Sequence, residues 1–269
     1  MKLRIVVAGW LTLLMAGHAG AQENSVELVS APLAAPTVPT APPLPPLDQF
    51  PIQLVLDDDV AESTTGVLGP GGGKQFLWFN RFASPGQFRL EQIWVLFPPG
   101  ANITVGAPVQ LVVYHDPDGD PTTGADLLAT LNETIQVLDG ATFSVYDLAP
   151  TVDVPAGGDV LIGVVDRFVV SGVTPLTQAA AIDTSATQQR SWLATWIGDP
   201  PAAPTLPSDG ALVLLDDLLP TVAGNWMIRG FGSQPPNLDV PVLSSAGLIA
   251  LALLLAAGGL VGLRRIRGA

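Results

Sequence analysis

Short apolar segments alternate with turn residues over most of the chain. Between residues 52 and 232, runs rich in Val, Ile, Leu, Phe and Trp are separated by Gly, Pro and Asp, which is the pattern of strands and turns. No segment there has a sustained helical period with caps. The predicted strands are 52–56, 75–82, 88–97, 108–115, 127–138, 142–148, 159–168, 178–183, 191–196, 211–215 and 225–231.

This pattern predicts an all-β, antiparallel domain. Short strands that are joined by turns, with no helices between them, are typical of a β-sandwich or a jelly roll. A length of about 180 residues is sufficient for one such core. Asp139-Gly140 and Ser208-Asp209-Gly210 supply positive φ or turn geometry where the chain reverses. We therefore expect one β-sandwich domain over residues 52–232.

The two ends of the chain have a different pattern. Residues 1–21 have a basic start, an apolar run and small residues before Gln22, as a secretory signal peptide does. Residues 244–263 are twenty residues without a charge, which is long enough to cross a bilayer core. Residues 264–269 contain arginines, and the positive-inside tendency places them in the cytoplasm. The sequence thus predicts export and a C-terminal transmembrane helix.

Two proline-containing segments separate these parts. Residues 22–51 contain eight prolines, and residues 233–243 form a second, shorter segment of this kind. Proline restricts φ and removes a backbone donor. We therefore expect residues 22–51 to be an extended linker with polyproline character that lies outside any sheet.

The charge of the exported part excludes one class of partner. All 24 Asp and Glu residues lie between Glu23 and Asp239, whereas five of the 11 basic residues lie in residues 1–21 and 264–269. The exported part is therefore more acidic than the net charge of −13 indicates. Nucleic-acid binding requires clustered Lys and Arg, so we expect no such partner. The absence of cysteine excludes disulfides, thiolate nucleophiles and cysteine metal sites.

The C-terminal segment has a proline-containing signature, a glycine, an apolar helix and arginines, in that order. The residues that carry this layout are Pro241, Leu243, Ser244, Gly247, Arg264 and Arg265. It resembles the IPTL-CTERM protein-sorting tails, which are relatives of the PEP-CTERM signals of Gram-negative bacteria. The resemblance implies recognition by an exosortase-like membrane protease that removes or transfers the anchor.

Several segments of the middle part also resemble a known class of module. LDDDVAE (56–62), VQLVVYHDPDGDP (109–121) and NWMIRGFG (225–232) are similar to an accessory β-sandwich of secreted bacterial proteins. Such modules often accompany extracellular peptidases or other catalytic domains. The resemblance implies an accessory role rather than a catalytic one.

An acidic run between two predicted strands has the residue types of a metal site. Its carboxylates are Asp116, Asp118, Asp120 and Asp126. Carboxylates at alternate positions can converge on a hard cation such as Ca²⁺, although Pro121 and Leu127 replace the Gly and Glu of a full calcium loop. The favoured alternative is a hairpin turn in which Asp side chains accept bonds from backbone N–H groups. Residues 57–59 with Glu62 form a second acidic run, which could supply oxygens to the same or another ion. The favoured alternative for this run is a solvated acidic loop.

The aromatic residues and histidines offer few functional groups. Trp78 and Trp94 lie inside apolar runs and are predicted core residues. Trp192 and Trp196 are candidates for stacking on sugar rings, with core packing as the favoured alternative. His115 is the only histidine after signal removal, and no HExxH or GxSxG motif is present. We therefore predict no catalytic residue and no enzyme activity.

Together these patterns predict an exported cell-envelope protein with a noncatalytic β-sandwich interaction module. It would be anchored in the inner membrane by its C-terminal helix and, if the tail is processed, released to the cell surface or medium. The alternatives are a carbohydrate-binding module, with Trp192 and Trp196 on its binding surface, and an accessory domain of a secreted peptidase. Ca²⁺ is the one cofactor for which the sequence offers ligands.

Overall fold

The structure is a computed structural model that describes residues 27–33, 44–69, 72–100, 102–169, 172, 177–218 and 223–235. Contacts divide the chain into two units, residues 1–235 and 236–269, and all described residues belong to the first. The predicted signal peptide, sorting signature, transmembrane helix and basic tail therefore lie outside the described residues. Within the described ranges, no helix is both long enough and apolar enough to cross a membrane.

Strands dominate the described residues. They are β1 (Glu27–Pro32), β2 (Ile52–Leu54), β3 (Ser63–Gly69), β4 (Gly72–Lys74), β5 (Leu77–Ala83), β6 (Phe88–Leu96), β7 (Pro108–Asp116), β8 (Asp126–Thr134), β9 (Phe143–Val154), β10 (Asp159–Val165), β11 (Ala180–Asp183), β12 (Ser191–Ala194), β13 (Leu212–Leu214), β14 (Asn225–Trp226) and β15 (Ile228–Ser233). One short helix, α1 (Leu215–Leu218), follows β13. The pairings between these strands are antiparallel, which confirms the predicted all-β class.

The strands form three sheets. The largest has the order β13-β12-β5-β10-β7-β8, and the second has the order β2-β15-β6-β9. The third has the order β1-β3-β11-β14, with β4 paired to β3. Neighbours in these sheets are often distant in sequence, so the pairing depends on long-range contacts.

The main core lies between the six-stranded and four-stranded sheets, an arrangement consistent with a β-sandwich. Ile162 of β10 and Ile93 of β6 belong to the same buried cluster, together with Trp78 of β5. Gly230 of β15 shows how closely the sheets approach, because a Cβ there would lie 2.5 Å from Ile162 Cδ1. The inner faces of the two sheets are therefore in direct contact.

The six-stranded sheet is buried on its other face as well. Val160, Ile162 and Val164 face the main core, whereas the alternate residues Leu161 and Val165 belong to a second cluster. This is the two-residue period of a strand, with both faces apolar. The segment after β12, which carries Trp196 and Leu206, contributes to the second cluster. Because both faces of β10 are buried, its residues 160–165 form a continuous apolar run.

Three strands, β1, β3 and β4, were not predicted from the sequence. The segment Glu27–Pro32, placed in a linker outside any sheet, pairs along its whole length with β3. That linker prediction is therefore wrong for β1, where Pro32 is tolerated because β1 is an edge strand. Residues 63–67 of β3 are buried although four of them are Ser, Thr or Gly. Their backbone pairs on both sides, and the Ser63 hydroxyl donates to Ala31 O at 3.2 Å.

The described fold also begins before residue 52. Phe50 is 5% exposed, and its ring centroid lies 6.2 Å from that of Phe231 on β15. Gln53 Nε2 donates to Pro45 O at 2.7 Å, which attaches the preceding segment to β2. The end of the predicted linker is therefore part of the packed domain.

Candidate functional site

The acidic run 116–120 forms the turn between β7 and β8. Asp116, the last residue of β7, is buried, and its Oδ1 accepts a hydrogen bond from Gly119 N at 3.1 Å. Gly119 has a φ of 74°, a conformation that glycine adopts without strain. Asp116 Oδ2 is also buried but accepts no hydrogen bond from any described residue. One oxygen of this carboxylate therefore supports the turn, and the Asp118 carboxylate is the side-chain hydrogen-bond partner of Asp116 when Asp116 is protonated.

Asp118 and Asp120 accept bonds from the turn itself. Asp118 Oδ1 accepts from Asp120 N at 3.1 Å, and Asp118 Oδ2 accepts from the Thr123 hydroxyl at 2.6 Å. Asp120 Oδ1 accepts from Thr122 N at 3.0 Å and from the Thr122 hydroxyl at 2.7 Å. These are the bonds of an acidic hairpin turn.

The three carboxyl groups of the turn differ in acidity. Burial, with a further contribution from the adjacent Asp118 carboxylate, raises the pKa of Asp116 to about 6. Hydrogen bonds from Thr123 and Thr122 lower the pKa values of Asp118 and Asp120 respectively. Arg81 also lowers the pKa of Asp120, to a smaller extent. Asp118 and Asp120 are thus ionised at neutral pH.

A surface cavity of about 450 Å³ lies beside this turn. Its lining residues are Pro117, Asp118, Thr123, Gly124, Ala125, Asp126 and Leu206. Asp126 is the first residue of β8 and pairs in register with His115 of β7. The structure therefore places Asp118 and Asp126 on one cavity, with Asp116 buried next to it in the chain. Metal binding by Asp116, Asp118, Asp120 and Asp126 remains a prediction.

The described part of the chain contains one group of three carboxylates whose ligand atoms all lie within 4.8 Å of one another. It consists of Asp58, Glu62 and Asp183, of which Asp183 is 1% exposed. An all-oxygen set of this kind suits Ca²⁺ or Mg²⁺. Sequence reasoning included Asp58 and Glu62 in the second acidic run but missed Asp183. It lies at the end of β11, 125 residues after Asp58, and no local motif marks it.

The oxygens of this group already accept hydrogen bonds from the neighbouring backbone. Asp183 Oδ1 accepts from Ser185 N at 2.8 Å, and its Oδ2 accepts from Asp58 N at 3.0 Å. Glu62 Oε2 accepts from Thr184 N at 2.7 Å. These bonds join the loop before β3 to the turn after β11, so the group has a structural role without an ion.

Asp57, in the same acidic run, forms a buried ion pair. Arg229 Nε donates to both carboxylate oxygens of Asp57 at 3.1 Å, and the side chains of the two residues are 1% and 0% exposed. Arg229 Cζ lies 4.3 Å from the centroid of the Phe143 ring, which is cation–π distance. Burial raises the pKa of Asp57, and the hydrogen bond from Arg229 opposes that shift. The expectation that residues 57–59 are all solvated is wrong for Asp57.

The tryptophans among the described residues occupy buried or half-buried positions. Trp78 and Trp94 are 1% and 4% exposed, which confirms that they are core residues. Trp192 is half-buried on β12, and Trp196, beyond the end of that strand, is 5% exposed. Both pack against the second cluster, on the outer face of the six-stranded sheet. Sugar stacking by Trp192 and Trp196 stays a prediction, and the burial of Trp196 leaves little of that ring accessible.

His115 lies at the C-terminal end of β7. It is 9% exposed, and its Nε2 lies 2.9 Å from Gly157 O. One ring nitrogen is therefore hydrogen bonded to the backbone of the loop between β9 and β10.

A cleft of about 510 Å³ separates two edge strands of the sandwich. One rim is residues 128–133 of β8, and the other is residues 149–153 of β9. Among the described residues, β8 pairs with β7 alone and β9 pairs with β6 alone. The backbone groups on the outer side of each strand consequently have no strand partner there.

Comparison with known proteins gives limited results for the β domain. No curated protein matches the chain. One solved structure that matches is the crystal structure of the cysteine protease and lectin-like domains of Cwp84, a surface layer associated protein of Clostridium difficile. The match covers 68% of this chain and 36% of that chain, with 13% identity and a TM-score of 0.42. The chain thus spans about a third of the length of that structure.

The C-terminal segment gives a specific match. The IPTL-CTERM motif matches residues 240–265, which include the six signature residues Pro241, Leu243, Ser244, Gly247, Arg264 and Arg265. The chain therefore carries an IPTL-CTERM sorting tail, which indicates an exported protein of the cell envelope.

Proposed function

We propose that this protein is a noncatalytic interaction module that is displayed on the cell envelope. Its signal peptide directs export, and residues 244–263 hold the chain in the inner membrane until an exosortase-like enzyme acts on the tail. The observation that carries this proposal is the sorting tail at residues 240–265, joined to a packed β domain. A charge-free segment of twenty residues followed by arginines has the length and polarity of an anchor.

Processing of the tail is testable in cells of the source organism. Mass spectrometry of the mature protein should find a C-terminus near Pro241, and Pro241→Ala should leave the chain ending at Ala269 and retained in the membrane fraction. Pro236→Ala, a matched substitution outside residues 240–265, should be processed like the wild type. An intact Ala269 in the wild-type protein would show that the tail is a plain anchor.

For the interaction itself, we propose the cleft between β8 and β9 as the binding surface and an extended, basic polypeptide segment as its occupant. The outer edges of β8 and β9 have no strand partner among the described residues, so their backbone N–H and C=O groups can pair with such a segment, as in β-strand addition. Pro150 on the β9 rim has no N–H group, which leaves the β8 rim as the more continuous edge. The two rims carry the carboxylates of Glu133 and Asp153 and no Lys or Arg, which favours a cationic partner. Asp153 also pairs with Arg89 of β6 at 3.1 Å, on an exposed part of the surface.

Two adjacent proline substitutions test this surface. The N–H groups of successive strand residues point to opposite sides, so one of Thr130→Pro and Leu131→Pro blocks the free edge and the other disrupts pairing with β7. Thermal melting identifies the edge variant, because it melts close to the wild type. A displayed peptide library should yield Lys- and Arg-rich peptides that bind the full chain in detergent, are released by salt, and fail to bind the edge variant. Unchanged binding by that variant would rule out the cleft edge.

The noncatalytic part of the proposal has its own test. The full chain should show no hydrolysis in a screen of peptide, ester and glycoside substrates, and turnover that is lost in His115→Ala would overturn it. The burial of Trp196 provides no support for the carbohydrate-binding alternative. A glycan array that is probed with the wild type and with Trp192→Ala tests the carbohydrate-binding alternative directly.

A further inference from the structure

The cleft between β8 and β9 exposes part of the main core. Leu128, Ala129 and Leu131 of β8 pack against that core, remain partly exposed and line the cleft. On the facing rim, Val152 of β9 belongs to the core and lines the cleft too. Apolar surface in a groove loses contact with water when a second chain covers it, and this burial is favourable. The cleft therefore favours an occupant with apolar side chains of its own.

A β-bulge in β8 produces this apolar rim. Val113 of β7 pairs with Ala129 and Tyr114 pairs with Leu127, so Leu128 is an extra residue without a register partner. In a regular strand, Leu128 and Ala129 would point to opposite faces, whereas here both pack against the main core. β8 thus presents more apolar surface to the cleft than strand alternation alone would give.

The polar residues of β8 also have defined faces. Glu133 pairs with Val109, a residue of the main core, so its side chain is on the same face as Leu131. Within the described residues, Glu133 forms no ion pair. Thr130 and Asn132 alternate with these residues and are exposed on the other face. The face of β8 toward the core is therefore apolar along the rim except for one carboxylate near its end.

The connection between β8 and β9 closes the cleft beyond Glu133. Tyr146 Oη donates to Thr134 O at 3.0 Å, which ties the end of β8 to β9. Gln136 N, in the connection, donates to Ser144 Oγ of β9 at 3.2 Å. A strand that pairs with the rim therefore ends near Glu133.

We propose that the segment bound by this cleft alternates in sequence, with aliphatic side chains toward Leu128 and Leu131 and a Lys or Arg opposite Glu133. The assignment rests on the proposed strand addition to β8. Successive side chains of an added strand point to opposite faces, so every second residue enters the groove between the sheets. Aliphatic residues there extend the core, and a cation there pairs with the Glu133 carboxylate. The intervening residues face solvent beside Thr130 and Asn132, where Lys and Arg are attracted by the acidic domain.

Two synthetic peptides of equal composition test this alternation. Val-Lys-Val-Lys-Lys-Lys, capped at both ends, has the length of the rim at residues 128–133 and directs both valines into the groove. Val-Val-Lys-Lys-Lys-Lys has the same charge but directs only one valine inward. In fluorescence anisotropy with the full chain in detergent, the alternating peptide should bind about tenfold more tightly, because one more valine is buried.

Two carboxylate variants of β8 test the position of the cation. Glu133→Gln should weaken binding of the alternating peptide about fivefold, since its charge faces the groove. Asp126→Asn removes an equal charge from a β8 residue outside the cleft and should change the affinity less than about twofold. Thermal melting of each variant verifies that it is folded.

Equal affinity of the two peptides for the wild type would refute the alternation, and strand addition itself would stand if the edge variant of β8 then loses both. Equal effects of Glu133→Gln and Asp126→Asn would show that the acidic surface as a whole, and not Glu133, attracts the cation. Failure of both peptides to bind would also refute the alternating segment. A peptide library without binders would refute the proposed binding surface as well.

Discussion

Removing the buried cation Arg229 should destabilise the domain strongly. In Arg229→Met, the Asp57 carboxylate remains buried with a side-chain exposure of 0% and loses its bidentate partner. Breaking one half of a buried ion pair typically costs about 3–5 kcal/mol. The contact with Phe143 adds about 0.5–1 kcal/mol to the loss. At about 2–4 °C per kcal/mol for a domain of this size, the melting temperature should fall by roughly 7–24 °C.

The free energy of unfolding is measured by urea denaturation and the melting temperature by thermal denaturation, both followed by tryptophan fluorescence, with two matched variants. Arg89→Met removes the same side chain from an ion pair whose members are 37% and 70% exposed, and it should cost less than about 1 kcal/mol. Asp57→Asn combined with Arg229→Met leaves no unpaired buried charge at this position and should recover most of the lost stability. Because burial raises the pKa of Asp57 and its counterion is gone, the loss in Arg229→Met should shrink as the pH falls and Asp57 takes up a proton.

The result that would refute this reasoning is equal destabilisation by Arg229→Met and Arg89→Met. It would mean that Asp57 is hydrated or protonated in the native protein and that the pair contributes little. A double variant that is no more stable than Arg229→Met would instead assign the loss to packing, since the charge on Asp57 would then be irrelevant.

Three further predictions concern the core and the acidic turn. Gly163→Ala should lower the free energy of unfolding by about 1–3 kcal/mol in urea denaturation, because its Cβ would lie 2.6 Å from Phe79 Cβ. Gly157→Ala is the comparison, since its Cβ would enter open space and only its φ of 83° is strained. Phe50→Ala should cost about 3–5 kcal/mol in the same assay, whereas a solvated linker residue would cost almost nothing. In calcium-free buffer, Asp116→Asn should gain stability relative to the wild type as the pH rises through about 6. Because the pKa of Asp116 is raised in the native state, protonated Asp116 contributes its full stability to the wild type below about pH 4, and that contribution is lost above about pH 6. Parallel pH curves for the two proteins would contradict that assignment.

The hydrophobic pattern was sufficient to predict the positions of the strands that are rich in apolar residues. The runs 88–97 and 108–115 correspond to β6 and β7 within a residue or two, because Val, Ile, Leu and aromatic residues there follow strand periodicity. β3 was missed because Ser63, Thr64 and Thr65 resemble a polar loop when they are considered alone. Their burial depends on pairing with β1 and β11, and such long-range pairing is not encoded in any local window.

The sequence by itself determined the strand class, the acidic exported surface and the sorting tail, because each depends on residue type and spacing along the chain. Only the tertiary structure decided which acidic residues are buried. It paired Asp57 with Arg229, brought Asp183 to Asp58 and Glu62, and left one oxygen of Asp116 without a donor. The local sequence shows only that these residues are acidic. Strands from distant parts of the chain determine the burial of each carboxylate, its hydrogen bonds and its distance to another charge. Those three quantities determine whether a carboxylate is solvated, structural or available to a ligand.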